Sequence, residues 1–319
     1  MRLRFGFGLS ARWRRNFSRC NFHLTEFLAE TNNAHIACDN ADFVKRAAGR
    51  ASLIFKNFSE IFGSFPEMAV HLRSRYDRIA TAQMKYLDLT LPTPAANLAL
   101  DEALLDACDE GGDEVLRVWE PTEYFVVVGY ANHVEREVNM ETCWREKIPV
   151  LRRCSGGGTV LQGPGCLNYS LILKIDSAME LQTVTGTNRF VMERHRKIFA
   201  EEFGLLAQFQ GMTDLTIGDK KFSGNAQRRK RAALIFHGTF LLDFDLTLVE
   251  KLLPMPSKQP DYRCDRSHAK FLTNLGIPAA RMKATLQEAW QAGEILNEIP
   301  DFSRLVEERY GRVEWNLKF

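Results

Sequence analysis

Three absences narrow the class of this 319-residue chain. No apolar run approaches the roughly eighteen residues that would mark a membrane-spanning helix, so no membrane association is expected. The seven cysteines (Cys20, Cys38, Cys108, Cys143, Cys154, Cys166, Cys264) are odd in number and include no C-x-x-C pair. Neither a disulfide framework nor a zinc site is signalled, no metal ligand is expected from the protein, and a reducing compartment is the natural setting. The glycine patterns G-x-x-x-x-G-K-[ST] and G-x-G-x-x-G are missing too, which excludes the common nucleotide-binding loops. Internal repeats and low-complexity tracts are also lacking.

What remains is ordinary globular composition, 45% hydrophobic and 26% charged. The net charge of +2 hides an asymmetry: residues 1–83 carry 13 Lys+Arg against 7 Asp+Glu, whereas the remainder carries 29 against 33. A main body of that balance is not expected to bind nucleic acid. Met1–Cys20 holds six arginines and no acidic residue. It reads either as a mitochondrial-type targeting peptide or, by preference, as sequence upstream of a true start at Met84. The expected location is accordingly cytoplasmic, or mitochondrial if the basic segment is genuine. Residues 1–83 are read as a poorly ordered extension and residues 84–319 as one domain.

Within that domain the spacing predicts a helix over Asn97–Asp109, strands over Val115–Trp119 and Tyr124–Gly129, and further strands over Pro149–Arg153 and Leu167–Lys174. A helix over Thr187–Phe203 is expected to end at Gly204. Strands over Leu205–Gln210, Asp214–Ile217 and Ala232–Phe244 follow, then helices near Ala279–Gly293 and Asp301–Arg309. Strands in the middle and helices at both ends predict an α+β fold, a mixed β-sheet flanked by helices.

Two segments carry chemistry. Arg152-Arg153-Cys154-Ser155-Gly156-Gly157-Gly158-Thr159-Val160 reads as a strand ending in two arginines and turning through three glycines. Backbone that tolerates such an entropic loss is usually approached closely by something, and the arginines suggest an anion. About sixty residues later, Gly218-Asp219-Lys220-Lys221-Phe222-Ser223-Gly224-Asn225-Ala226 places two lysines on a strand, whose alternation sends one inward and one to solvent. An inward lysine beside small residues can stabilise charge developing on an acyl group and a phosphate. His237-Gly238 lies in an apolar strand and reads first as a core histidine. Arg228-Arg229-Lys230-Arg231 reads as a solvated loop or a docking patch for an acidic partner.

In order, these segments, together with Gly218-x-x-Lys221-x-Ser223-Gly224-x-Ala226 and His237-Gly238-Thr239 followed by Leu241-Leu242 and Asp245, resemble the lipoate–protein ligase catalytic domain of the biotin/lipoate ligase and octanoyltransferase superfamily. The resemblance runs from about Met84 to the C-terminus. It implies the biotin/lipoate protein ligase fold with a tunnel for a fatty chain. It also implies a two-step reaction: lipoate or octanoate and ATP with Mg²⁺ give an acyl-adenylate, and a lysine of a lipoyl carrier domain then takes the acyl group. The carriers would be those of 2-oxoacid dehydrogenase complexes or the glycine cleavage H protein. By the family pattern Lys221 would bind the acyl carbonyl and phosphate, and Arg153 the nucleotide. Ser155, Gly156, Gly157, Gly158, Thr159, Val160, Leu161, Asp214, Gly224, Ala226 and His237 would surround the acyl-adenylate.

Two features depart from that pattern. Gln162-Gly163-Pro164-Gly165-Cys166 replaces the His-Asp-x-Gly-Asn of many lipoate ligases, and its Gly-Pro-Gly is nearer the octanoyltransferase branch. The chain stops about where some members begin an accessory C-terminal domain, so it is expected either to act alone or to need a separate accessory chain. The competing readings are an ATP-independent transferase working through a cysteine thioester (Cys154, Cys166 or Cys264), a degenerate acyl-adenylate binder and, ranked lower, a biotin ligase.

Overall fold

A computed structural model describes residues 84–319, and the expectations for residues 1–83 lie outside the described residues. Two sheets organise the chain. The larger has eight strands in the order β11-β1-β2-β6-β10-β9-β8-β7, and the smaller has three in the order β4-β3-β5. The large sheet is mixed. β1 (Lys85–Asp88) lies parallel to β2 (Val115–Trp119) and to the short β11 (Glu294–Ile295). β2, β6 (Cys166–Lys174), β10 (Ala233–Leu241) and β9 (Lys220–Arg229) then pair antiparallel, followed by β8 (Asp214–Ile217) and β7 (Ala207–Gln210).

Helix α1 (Pro94–Asp109) starts where Thr93 accepts the Ala96 N–H at 3.2 Å and Pro94 occupies the first turn, where a missing N–H is harmless. Its Leu100, Leu104, Leu105 and Cys108 bury against Val115, Ile172, Ala233 and Ile235 on one face of the large sheet. Helix α2 (Val184–Phe203) is capped by Thr183 and closed by Gly204 at φ +64°. With α3 (Ala279–Ala289) it covers the opposite face, where Val191, Met192, Phe199, Met282, Leu286 and Trp290 meet Leu171, Phe222, Phe236 and Phe240. The small sheet of β3 (Phe125–Val128), β4 (Val150–Arg152) and β5 (Val160–Gln162) stacks beside α1, with Leu98, Trp119, Phe125, Val127 and Leu151 sharing a core. A mixed sheet flanked by helices is thus the fold. The separate small sheet was not anticipated, because β4 and β5 are three residues each.

One expectation is corrected. Arg228 and Arg229 belong to β9, not to a loop, and only residues 230–232 turn. Arg228 donates to the Cys154 carbonyl at 2.9 Å, Arg229 to the Leu181 carbonyl at 2.6 Å, and Lys230 pairs with Asp106 at 2.5 Å. Three of the four cations tie elements together and are not a free patch. No helix among the described residues is long and apolar enough to cross a membrane.

Candidate active site

A cavity of about 460 Å³ opens between the large sheet, the small sheet and the segment 254–272. The antiparallel register assembles its floor. Gly224 on β9 pairs with Thr239 on β10, Thr239 with Asn168 on β6, and Asn168 with Trp119 on β2. The neighbouring row runs Ala226, His237, Ser170, Arg117.

Lys221 reaches the cavity through an irregularity. The β8–β9 register shifts between Leu215 and Thr216, so Phe222 enters the core while Lys221 and Gly224 both line the cavity. Its Nζ lies 2.8 Å from Asp214 Oδ1, and the Tyr262 hydroxyl donates to Asp214 Oδ2 at 2.7 Å. Burial first, then the Asp214 charge, raises the Tyr262 phenol well above its ordinary value, so it stays protonated and donating. A Cβ on Gly224 would sit 2.8 Å from Lys221 Nζ, which explains the small residue there. Lys220, in contrast, is exposed.

The glycine loop follows β4. Arg153 is buried, and its guanidinium donates to Ser155 Oγ at 3.0 Å and to the carbonyls of Gly156 and Gly158 at 2.5 and 2.7 Å. Burial lowers its pKa to about 10, which leaves it cationic at neutral pH. Gly157 has φ +87° and packs its carbonyl against Gly129, where a Cβ would come within 2.2 Å. Gly156 and Gly158 face open space. Of the three glycines the fold itself therefore requires only Gly157, and the other two leave room beside exposed backbone.

The arginine pair divides. Arg152 turns away and donates to the carbonyls of Gly129, Tyr130, Asn132 and Trp315, holding the base of the loop instead of facing an anion. Ser155 also departs from expectation. It is 1% exposed and lies behind the cavity wall, where its Oγ meets His237 Nε2 at 2.6 Å. Gly156 is likewise outside the lining, whereas Arg153, Gly157, Gly158, Thr159, Val160, Leu161, Asp214, Lys221, Gly224, Ala226 and His237 line it.

Five residues outside the expected site set also shape the cavity. Asp101 of α1 lies 3.8 Å from His237 Nδ1, pairs with Arg117 at 2.5 Å and accepts from Ser170 at 2.8 Å. Burial pushes the Asp101 carboxyl up, but Arg117, His237 and Ser170 outweigh it and hold it below the usual carboxylate range. Gln162, at the place of the absent histidine, donates to Thr239 at 3.1 Å and accepts from Asn168 at 3.0 Å. Asn225 fills the space left by Gly238, whose Cβ would be 1.7 Å from Asn225 Oδ1, and it accepts from Tyr169 at 2.6 Å. Tyr262 and Trp119 complete the set. Gln162 and Asn225 lie within the quoted segments and Asp101 within the expected helix Asn97–Asp109, whereas Tyr262 had no signal.

The cysteines divide clearly. Burial pushes the thiols of Cys154 and Cys166 up to about 12. Cys264 is exposed and donates to its own loop at the Asp261 carbonyl, 3.3 Å away.

Comparison with known proteins agrees with this architecture. The model of the lipoyl protein ligase A/B catalytic domain matches residues 93–291. A protein of Aeropyrum pernix named "Putative lipoate-protein ligase A" is 30% identical over 212 residues, 66% of this chain and 76% of that protein. The octanoyltransferase LipM of Brevibacillus brevis is 26% identical, covering 74% of this chain and 99% of that one. Among solved structures, the bi-partite lipoate protein ligase of Thermoplasma acidophilum, described with its E2 lipoyl domain, superposes with a TM-score of 0.63 at 23% identity, over 74% of this chain and 96% of that one. The chain belongs to the lipoyl protein ligase A/B catalytic-domain family, an enzyme family of lipoate ligases and octanoyltransferases.

Proposed function

We propose that this chain is an ATP-dependent lipoate–protein ligase, and the observation that carries the reading is Lys221. Its ammonium is held over Gly224 by Asp214 in the lining of the cavity, and no cavity-lining cysteine accompanies it among the described residues. A thioester-forming transferase needs an accessible thiolate. Cys154 and Cys166 are buried with raised pKa values, and Cys264 is bonded to its own turn and does not line the cavity. The name of the Aeropyrum relative supports the same choice, while the LipM relative keeps the transferase as the reading to be tested.

In this account the lipoate or octanoate carboxylate attacks the α-phosphorus of Mg²⁺-bound ATP and pyrophosphate leaves. The exposed loop around Gly158 approaches the phosphate, and Arg153 acts by fixing the loop carbonyls. A carrier lysine, as the free amine, then attacks the acyl carbonyl. AMP departs, the nitrogen loses a proton, and an amide remains. Lys221 stabilises negative charge on the carbonyl oxygen and the phosphate in both steps. The acceptor is a lipoyl carrier domain, as the Thermoplasma relative's partner suggests, and that bi-partite ligase also motivates a search for a separate accessory chain. A reducing compartment fits the five cysteines among the described residues, all of which are unpaired. The test is pyrophosphate release on adding lipoate and MgATP to the full chain; its absence in wild type, or its survival in Lys221→Ala, counts against the proposal.

A further inference from the structure

The strand that leads into the glycine loop is an edge. In the small sheet β4 has β3 on one side only, and Arg153 uses that side, its N–H donating to the Val128 carbonyl at 3.1 Å. Backbone groups of successive strand residues point to alternate sides, so the N–H and C=O of Arg152 turn outward and meet no strand. Arg152 is buried, and buried backbone groups require partners.

Both partners are side chains of the helical turn Val313–Asn316. Asn316 Oδ1 accepts from the Arg152 N–H at 3.0 Å, and Trp315 Nε1–H donates to the Arg152 carbonyl at 2.9 Å. Arg152 Nε returns a bond to the Trp315 carbonyl at 3.2 Å, while Asn316 is aimed by donating to the Tyr310 carbonyl at 2.9 Å. These two side chains complete the edge of β4 as a neighbouring strand would.

The same turn reaches the loop a second way. The Trp315 ring packs on Tyr130 with centroids 5.8 Å apart, and Lys318 Nζ lies 3.9 and 4.0 Å from the Tyr130 and Trp315 ring centres. The Tyr130 N–H in turn donates to the Ser155 carbonyl at 2.9 Å. Trp315 therefore holds the residue that enters the loop and the one that ties down its first turn. Neither Trp315 nor Asn316 lines the cavity, so they act on it only through this loop.

We infer that Trp315 and Asn316 are positioning residues for nucleotide binding: they fix the Arg152–Arg153 entry and thereby the exposed backbone at Gly158 that meets the phosphates. This inference rests on the reading of the glycine loop as the phosphate-binding segment. Lys221 and Gly224 belong to β9 of the other sheet, so the acyl end is independent of the clamp.

Trp315→Phe keeps the ring and removes the N–H. It should raise the KM for MgATP about three- to tenfold, the size of one net hydrogen bond, and leave the KM for lipoate unchanged. Hydrogen exchange of residues 153–158 in the ligand-free protein should quicken, with residues 220–226 unaltered as the control. An unchanged KM for MgATP, a parallel rise in both constants, or unaltered exchange at 153–158 overturns the inference. Should the variant fold poorly, residue-resolved exchange in wild type decides: the Arg152 amide should be as protected as that of Arg153, and rapid exchange there refutes the clamp. A wild type that releases no pyrophosphate refutes the ligase reading, and the exchange measurements then decide the clamp alone.

Discussion

Lys221 Nζ lies 2.8 Å from Asp214 Oδ1, and the other Asp214 oxygen accepts from Tyr262. The lysine is aimed by a carboxylate that is itself aimed by a phenol. Tyr262→Phe therefore should lower adenylate formation about threefold to tenfold, as expected for one lost orienting hydrogen bond. Its melting temperature should change little. Gly224→Ala should be more damaging to rate than to folding, because the new methyl meets the mobile end of Lys221 at 2.8 Å. Single-turnover adenylation and thermal melts on both variants check this; a normal rate in Gly224→Ala would contradict the geometry.

Two glycines of one loop should behave differently. Gly157→Ala places a side chain at φ +87° and a methyl 2.9 Å from Arg153 Nη2, a loss of about 1–2 kcal/mol from backbone strain alone. Gly158→Ala meets nothing within 4 Å and should leave stability within about 0.5 kcal/mol of wild type. Because Gly158 lines the cavity, its variant should lose activity nonetheless. Urea unfolding of the pair separates the two effects.

Arg117 and Asp101 form a buried ion pair, with 0% and 5% side-chain exposure. Arg117→Met strands the carboxylate and should lower stability by about 3–5 kcal/mol. Chemical denaturation measures it; a loss below about 1 kcal/mol would mean that Ser170 and His237 suffice to hold Asp101.

His195 is fully buried, and burial first, then the Arg194 charge, lowers its pKa from 6.5 to about 3. Its Nε2 accepts from Trp290 Nε1 at 3.2 Å. Between about pH 6.5 and pH 3 the unfolded chain binds a proton that the folded chain refuses, so stability falls as pH falls through that window. The contribution at pH 5 is about 2 kcal/mol. His195→Gln should flatten the stability profile below pH 6.5, read from melting curves in a buffer series.

Much of this was legible in the chain itself. The β2 and β8 boundaries and the Gly204 cap follow from local patterning, and the α+β class from the order of elements. Strand alternation also separates Lys221 from exposed Lys220, but the bulge that brings Lys221 and Gly224 to one cavity has no signal in the sequence. Less accessible were contacts set by register. Asp101 meets His237, and Trp119 meets the floor row, only because α1, β2, β6 and β10 pack as they do. The contact of Ser155 with His237 was hidden for the same reason: nothing local indicates that its hydroxyl turns to that ring. The basic run misled because three of its cations are occupied by backbone carbonyls and a carboxylate distant in sequence.

The most direct measurement supplies an apo lipoyl domain in parallel with MgATP plus lipoate and, without ATP, with an octanoyl-carrier thioester, and records the mass gained by intact mass spectrometry. The account predicts acylation only in the ATP arm, lost in Lys221→Ala. Acylation from the thioester without ATP, abolished by Cys264→Ser, would contradict it.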